Sequence, residues 1–278
     1  MGASFGNSEG YHWQCQIAKA RQWLLTWRMH HLGLIAAAGF CAGAMNALAG
    51  GGSFVSFPAL LAAGVPSVQA NASSTVALFP GGLAGAWAYR DGLGPVGTAS
   101  LRSLLITTLI GGAVGAVLLL STPSTTFNLE LPWLLLIATL ALGFGPAVGT
   151  WLQRHCRVTP AAVVVSQFAL GIYGGYFGGA VGIMMVAVWR LLDGRDLKSL
   201  NAPRTLLVAA ANIVAVIIFT AAGAVHWPQT LIMLVAAVAG GYGGARIGRR
   251  LSPRLVRWGT LLLTGGITVI FLVREYFG

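Results

Sequence analysis

Residues 43–66 read GAMNALAGGGSFVSFPALLAAGVP, and how this stretch is read decides the fold of the chain. It lies within an apolar run that starts at Leu32 and continues to Gly64. One straight helix over that run, rising about 1.5 Å per residue, would reach about 50 Å, whereas the hydrocarbon core of a bilayer is about 30 Å thick. The three consecutive glycines Gly50, Gly51 and Gly52 are the natural place for it to break. Glycine also lets membrane helices approach closely, and Gly81, Gly82, Gly111, Gly112 and the GGYGG at 240–244 suit that role. At the triple glycine an interruption is the expected outcome, on the pattern of discontinuous membrane helices whose freed backbone lines a site.

Working outward, the same pattern returns 130 positions later. The window 52–75 matches 182–205 at Gly52/Gly182, Leu61/Leu191, Gly64/Gly194, Asn71/Asn201, Ala72/Ala202 and Thr75/Thr205. This is an internal repeat. The first unit carries AGGGSFVSFP (49–58) and then NASST (71–75); the second carries GGYFGGAVGIM (174–184) and then NAPRT (201–205).

The chain is 56% hydrophobic and only 8% charged, where an ordinary soluble domain carries about 25% charge. Apolar runs recur from Leu32 to Val273 with nearly all the charge between them, which implies an integral, multi-pass α-helical membrane protein. Residues 32–278 read as a single membrane domain. Residues 1–31 hold Lys19, Arg21 and Arg28 around Trp23, Leu24, Leu25 and Trp27, and are expected to form an interfacial amphipathic extension rather than a signal peptide. The net charge of +11 does not point to nucleic acid, because the basic clusters sit between apolar runs without interleaved aromatics. Cys15, Cys41 and Cys156 are scattered, with no metal or redox spacing.

Charge in the connections tests the interruption. If both glycine-broken segments are re-entrant hairpins that enter and leave on one side, six full spans remain, starting near Gln69, Leu101, Pro132, Leu200, Pro228 and Leu255. One side then holds Arg90, Arg102, Arg154, Arg157, Arg190, Arg195, Lys198, Arg246, Arg249, Arg250, Arg254 and Arg257. The opposite connections, near 63–67, 121–131 and 223–227, hold no Lys or Arg. Twelve against none is a strong positive-inside bias, to which the three basic residues of the amino terminus are the exception. Eight uninterrupted spans would instead leave eight basic residues on each side. An odd number of crossings per unit turns the second unit upside down relative to the first. The expected fold is therefore all-α, an inverted repeat of about 32–158 and 159–278. Each unit is a glycine-broken re-entrant hairpin followed by three transmembrane helices, about eight apolar segments in all.

Where a broken helix restarts, its first backbone N–H groups lack acceptors and its dipole is positive, an anion site that needs no charged side chain. Gly50, Gly51, Gly52 and Ser53, with Asn46 just ahead of them, are the candidates at the first break; Gly179, Ala180 and Gly182 are those at the second. Asn71, Ser73, Ser74, Thr75, Asn201 and Thr205 supply short polar side chains that either cap helix starts or coordinate a solute. Arg204 lies inside an apolar segment, where burial costs about 2.5–3.5 kcal/mol on insertion scales. It either meets an anion or snorkels, being only six residues past Lys198. Glu9, Asp91, Glu130, Asp193, Asp196 and Glu275 all read as terminal or connecting. Without an intramembrane carboxylate, a coupling proton would have to ride on the substrate; sodium held by Asn, hydroxyl and carbonyl oxygens is the other option. His226, next to Trp227, reads as an interfacial anchor.

At residues 43–66 with NASST, and at GGYFGGAVGIM with DLKSLNAPRTLLVAAAN (196–212), the chain resembles the TauE/SafE family of sulfite exporters and related organosulfur anion transporters. The resemblance covers roughly Leu32 to Val273. It implies a secondary transporter that moves small anions, typically sulfite or short sulfonates, across the bacterial cytoplasmic membrane, often outward. The family leads one to expect Lys at least as readily as Arg at position 204, so the guanidinium does not single out one anion. The mechanism expected is alternating access, with the two hairpin tips meeting near mid-membrane. No cofactor is expected and a homodimer is left open. A membrane enzyme would need a nucleophile–base pair or metal ligands, and the sequence has no HExxH, paired carboxylates or Cys/His cluster. An anion channel and a structural membrane partner are the remaining alternatives.

Overall fold

The computed structural model describes residues 32–277 apart from 49, 97–98, 156–158, 180, 193–196 and 249–251. The amphipathic extension expected over 1–31 lies outside them. The long apolar run does break at its glycines: α1 (Leu32–Leu48) stops and α2 (Ser53–Ala62) restarts. Between them Gly50 takes φ 80°, a left-handed conformation that a Cβ opposes. Then come α3 (Ser67–Ala88), a 3-10 turn (Arg90–Gly92), α4 (Leu101–Ser121) and α5 (Ser124–His155). The pattern starts again with α6 (Pro160–Tyr176), Gly178 at φ 71°, and α7 (Val181–Leu192). It closes with α8 (Leu197–Ala221), α9 (Trp227–Gly248) and α10 (Pro253–Tyr276). Among the described residues the only non-helical pairing is an isolated bridge between Val96 and Ala99.

Five helices are long and apolar enough to cross a membrane, over Leu101–Ser121, Ser124–Gly145, Ala202–Ala221, Trp227–Ile247 and Leu255–Tyr276. The sixth expected span is α3, whose 22 residues are long enough but not apolar enough, because Gln69, Asn71, Ser73, Ser74 and Thr75 share its first half. Those hydroxyls and Asn71 are turned inward, with Ser73 at 0% and Asn71 at 1% exposure. α3 packs against α2, α5, α8 and α9, so protein surrounds its polar stretch. Outside, Val235 and Leu262 are exposed at 69% and 75%. An oily exterior, with the polar stretch of α3 enclosed by protein, is what a hydrocarbon solvent selects.

Two expectations need correction here. The connection expected over 121–131 is mostly helix: α5 begins at Ser124 and carries Pro132 within it, so Glu130 lies on a helix inside the Ser124–Gly145 span. Hydropathy marks the apolar part of a helix, and the polar residues Ser124, Thr125, Thr126, Asn128 and Glu130 hid its first turns. Gly81 and Gly82 are not packing glycines among the described residues, none of which lies within 4 Å of where a Cβ would stand on either.

The closest glycine contacts join α4 to α6 and α1 to α9, and Gly112 packs α4 against Ala211 of α8. A Cβ on Gly115 would stand 2.0 Å from the Ile172 carbonyl, and one on Gly43 would stand 1.9 Å from that of Ala237. Gly111 faces Phe168 and Gly115 faces Ile172, while Gly39 faces Met233 and Gly43 faces Ala237, so each pair runs in one direction. By contrast α5 and α10 run oppositely, Trp133 meeting Tyr276 at one end and Arg257 meeting the Gly143 carbonyl at the other. At the first of these ends, Ser67 bonds the Ser124 carbonyl and the His226 N–H bonds Ser73. At the centre, Phe57 of α2 packs against Phe127 of α5, Phe177 of the second break and Phe271 of α10, with ring centroids 6.2, 6.4 and 6.1 Å away.

Candidate functional site

Both breaks pack on α3, which bonds Ser56 of α2 through Ser74 and the Tyr176 carbonyl at the end of α6 through Asn71. At the first, the Gly50 N–H closes α1 onto the Asn46 carbonyl at 3.0 Å. α2 then starts with Phe54 N–H to the Gly51 carbonyl and Val55 and Ser56 N–H to that of Gly52. The amides of Gly51, Gly52 and Ser53 precede every intrahelical donor of α2, at the positive end of its dipole. Gly51 and Gly52 are buried and Ser53 half-buried. The fit is tight: a Cβ on Gly52 would stand 2.4 Å from the Ala42 carbonyl and 3.0 Å from Asn46 Cβ.

At the second break, the Phe177 and Gly178 amides both bond the Tyr173 carbonyl, ending α6. A Cβ on Gly179 would stand 2.6 Å from the Phe177 ring. α7 restarts at Val181, and Gly182 in its first turn faces α8, where a Cβ would lie 3.8 Å from Arg204 Cδ. The stem of Arg204 is therefore laid along the start of α7. The guanidinium is half-buried, and among the described residues no carboxylate forms an ion pair with it.

The Asn/Ser/Thr segments do not cap helices. NASST sits a turn inside α3, whose N-cap is Pro66 with no side-chain cap, and NAPRT sits likewise inside α8. Asn71 reaches across to the second break and donates to the carbonyl of Tyr176, the last residue of α6, at 2.8 Å. Ser74 bonds Ser56 of α2 at 2.6 Å. Thr75 donates to the Asn71 carbonyl and lies beside Gly178. Thr205 donates to the Ala202 carbonyl, and the side chain of Asn201 lies outside the described residues. His226 is half-buried and touches Gln229 through its ring.

Several polar residues at this centre escaped the sequence reading. Asn212 on α8 has a buried Oδ1 with no hydrogen-bond partner among the described residues. Gln167 on α6 donates to Thr108 on α4 at 2.7 Å and accepts from Trp189 on α7 at 3.0 Å, all three being fully buried. Tyr176 bonds Glu130 and also Thr122 through its hydroxyl. The one available signal was a lone amide within an apolar run, as at Gln167 and Asn212, since buried polar groups in membrane helices need partners.

Residues 35–271 match the family model described as "Sulfite exporter TauE/SafE". The chain is 29% identical over 231 residues to "Probable membrane transporter protein ORF9" of Sinorhizobium sp, covering 82% of this chain and 87% of that one. It is 28% identical over 228 residues to a "Probable membrane transporter protein" of Haemophilus influenzae, covering 81% and 88%. To "Probable membrane transporter protein YfcA" of Escherichia coli K12 it is 30% identical over 221 residues, covering 79% and 80%. No solved structure matches the chain.

Proposed function

Because the chain belongs to the TauE/SafE sulfite exporter family and is a multi-pass membrane transporter, we propose that it exports a small oxyanion, sulfite or a short organosulfonate, by alternating access. The observation that carries this reading is the stem of Arg204, on α8, lying against the first turn of α7 with no carboxylate partner among the described residues. A helix N-terminus and a guanidinium fork together suit an oxyanion, through N–H donors from the backbone and paired donors from the side chain. Gly51, Gly52 and Ser53 supply a second set of donors at the start of α2. Ser74, Asn71 and the NAPRT segment then hold the breaks in place.

Alternating access needs two halves that can rock, and the packing favours an inverted repeat. Exchanging α1–α5 with α6–α10 turns the α4·α6 contact into α9·α1, α4·α8 into α9·α3, and α5·α7 into α10·α2, each of which exists. The self-paired contacts, α3·α8 and α5·α10, join equivalent helices. α5 and α10 run oppositely. α3 and α8 do so too, because Gly92, just past the end of α3, faces Ala202 near the start of α8. Such a relation supports units of opposite orientation with a site between them.

Purified protein in proteoliposomes tests the reading. Saturable flux of sulfite or a short sulfonate is expected. Arg204→Ala is expected to weaken the apparent affinity about 10- to 100-fold, the worth of a charge-assisted hydrogen bond of about 1.5–3 kcal/mol. Arg102→Ala, at an exposed position at the start of α4, is expected to leave it unchanged. Indifference to every small oxyanion, or equal effects of the two substitutions, overturns the proposal, and a high unitary conductance would mark a pore instead.

A further inference from the structure

A broken helix exposes two kinds of backbone group, the N–H donors of the half that restarts and the carbonyls of the half that ends. An oxyanion uses only the first kind. The point that a Cβ would occupy on Gly178 has three nearest neighbours and all are oxygens: Thr75 Oγ1 at 3.1 Å, the Gly174 carbonyl at 3.6 Å and Asn212 Oδ1 at 4.0 Å. None offers a hydrogen to that point. Thr75 commits its hydroxyl proton to the Asn71 carbonyl at 3.0 Å, which leaves lone pairs on the other side. The Gly178 N–H, which would have closed on Gly174 in a continuing helix, bonds the Tyr173 carbonyl instead. Asn212 Oδ1 is buried and has no donor among the described residues.

Acceptor oxygens from α3, α6 and α8, that of Asn212 without a donor among the described residues, lie at the negative end of the α6 dipole, where they repel an anion and suit a cation. All three are neutral, whereas calcium and magnesium sites recruit carboxylates, so a monovalent ion fits better. We propose that Thr75, the Gly174 carbonyl and Asn212 bind a sodium ion that couples to anion transport, which rests on the transporter reading above. Thr75 thereby passes from the anion's ligands to the cation's. The ion faces the end of α6 and the oxyanion the start of α7, so each offsets the other's charge across one break. It also ties α3 of the first unit to α6 and α8 of the second. Among the described residues the first break has no such set of oxygens, since nothing lies within 4 Å of a Cβ on Gly50.

Thermal unfolding of the purified protein in sodium, potassium or N-methylglucamine chloride at fixed ionic strength tests the site without any transport. Sodium alone is expected to raise Tm, saturably and by several degrees. Asn212→Ala is expected to abolish that rise, and Asn212→Asp, which keeps the oxygen and adds charge, to retain or enlarge it. An equal Tm in all three salts, or an undiminished sodium response in Asn212→Ala, overturns the site. In proteoliposomes, oxyanion flux that ignores a sodium gradient removes the coupling and leaves the transporter standing. Sodium stabilisation without any oxyanion flux overturns the transport reading and leaves the ion site.

Discussion

Gln167 sits between Ser166 and Phe168 on an apolar helix, yet both ends of its amide are occupied, by Thr108 and by Trp189. Removing one member strands its partners, and an orphaned buried polar group costs about 1–3 kcal/mol. Gln167→Leu is therefore expected to lower the unfolding free energy in detergent by that amount, while the triple change Gln167→Leu, Thr108→Val and Trp189→Phe recovers most of it. A triple variant no more stable than the single one would show that packing, and not polar satisfaction, holds α7 in place. The sequence revealed that an amide lay in an apolar run but not what it met, because its partners are 59 and 22 residues away. Asn71 stood out in the sequence as a residue that either caps a helix or coordinates a solute, and the structure excludes the cap. Short polar residues near a helix start look the same whether they cap it or, as here, sit one turn further in and reach a neighbour.

At the scale of the element, glycine was legible where a length limit applied and illegible where only a partner mattered. The run through the triple glycine was too long for a bilayer, so its break could be located in advance. Whether Gly115 or Gly81 packs depends on a backbone distant in sequence, and the two look alike in a list of small residues. They separate in experiment. Gly115→Ala pushes a methyl to 2.0 Å from the Ile172 carbonyl, and such overpacking costs about 1–3 kcal/mol. Gly81→Ala meets open space and gains about 0.5–1 kcal/mol of helix propensity. Denaturation midpoints that move the same way in both variants would contradict the close α4–α6 contact.

For the whole molecule, composition and the run of apolar segments were enough to state the class, and the uneven placement of arginine gives an expected orientation that labelling can test. The polar interior of α3 was the part composition could not show, since hydropathy counts polar residues without saying which way they face. In a background with Cys15, Cys41 and Cys156 replaced by serine, Gly94→Cys and Gly223→Cys place thiols in the α3–α4 and α8–α9 connections. An impermeant maleimide added to intact cells is expected to label position 223 and to reach position 94 only after lysis. Labelling of both from outside would defeat the orientation. The Phe57 ring, shared by α2, α5, the second break and α10, bears on something apart from binding. Four phenylalanines thus place carbon that wets poorly beside the second interruption, so the carrier proposed above is expected to leak neither protons nor salt while it holds no solute, and the cell's gradients to survive its idle periods.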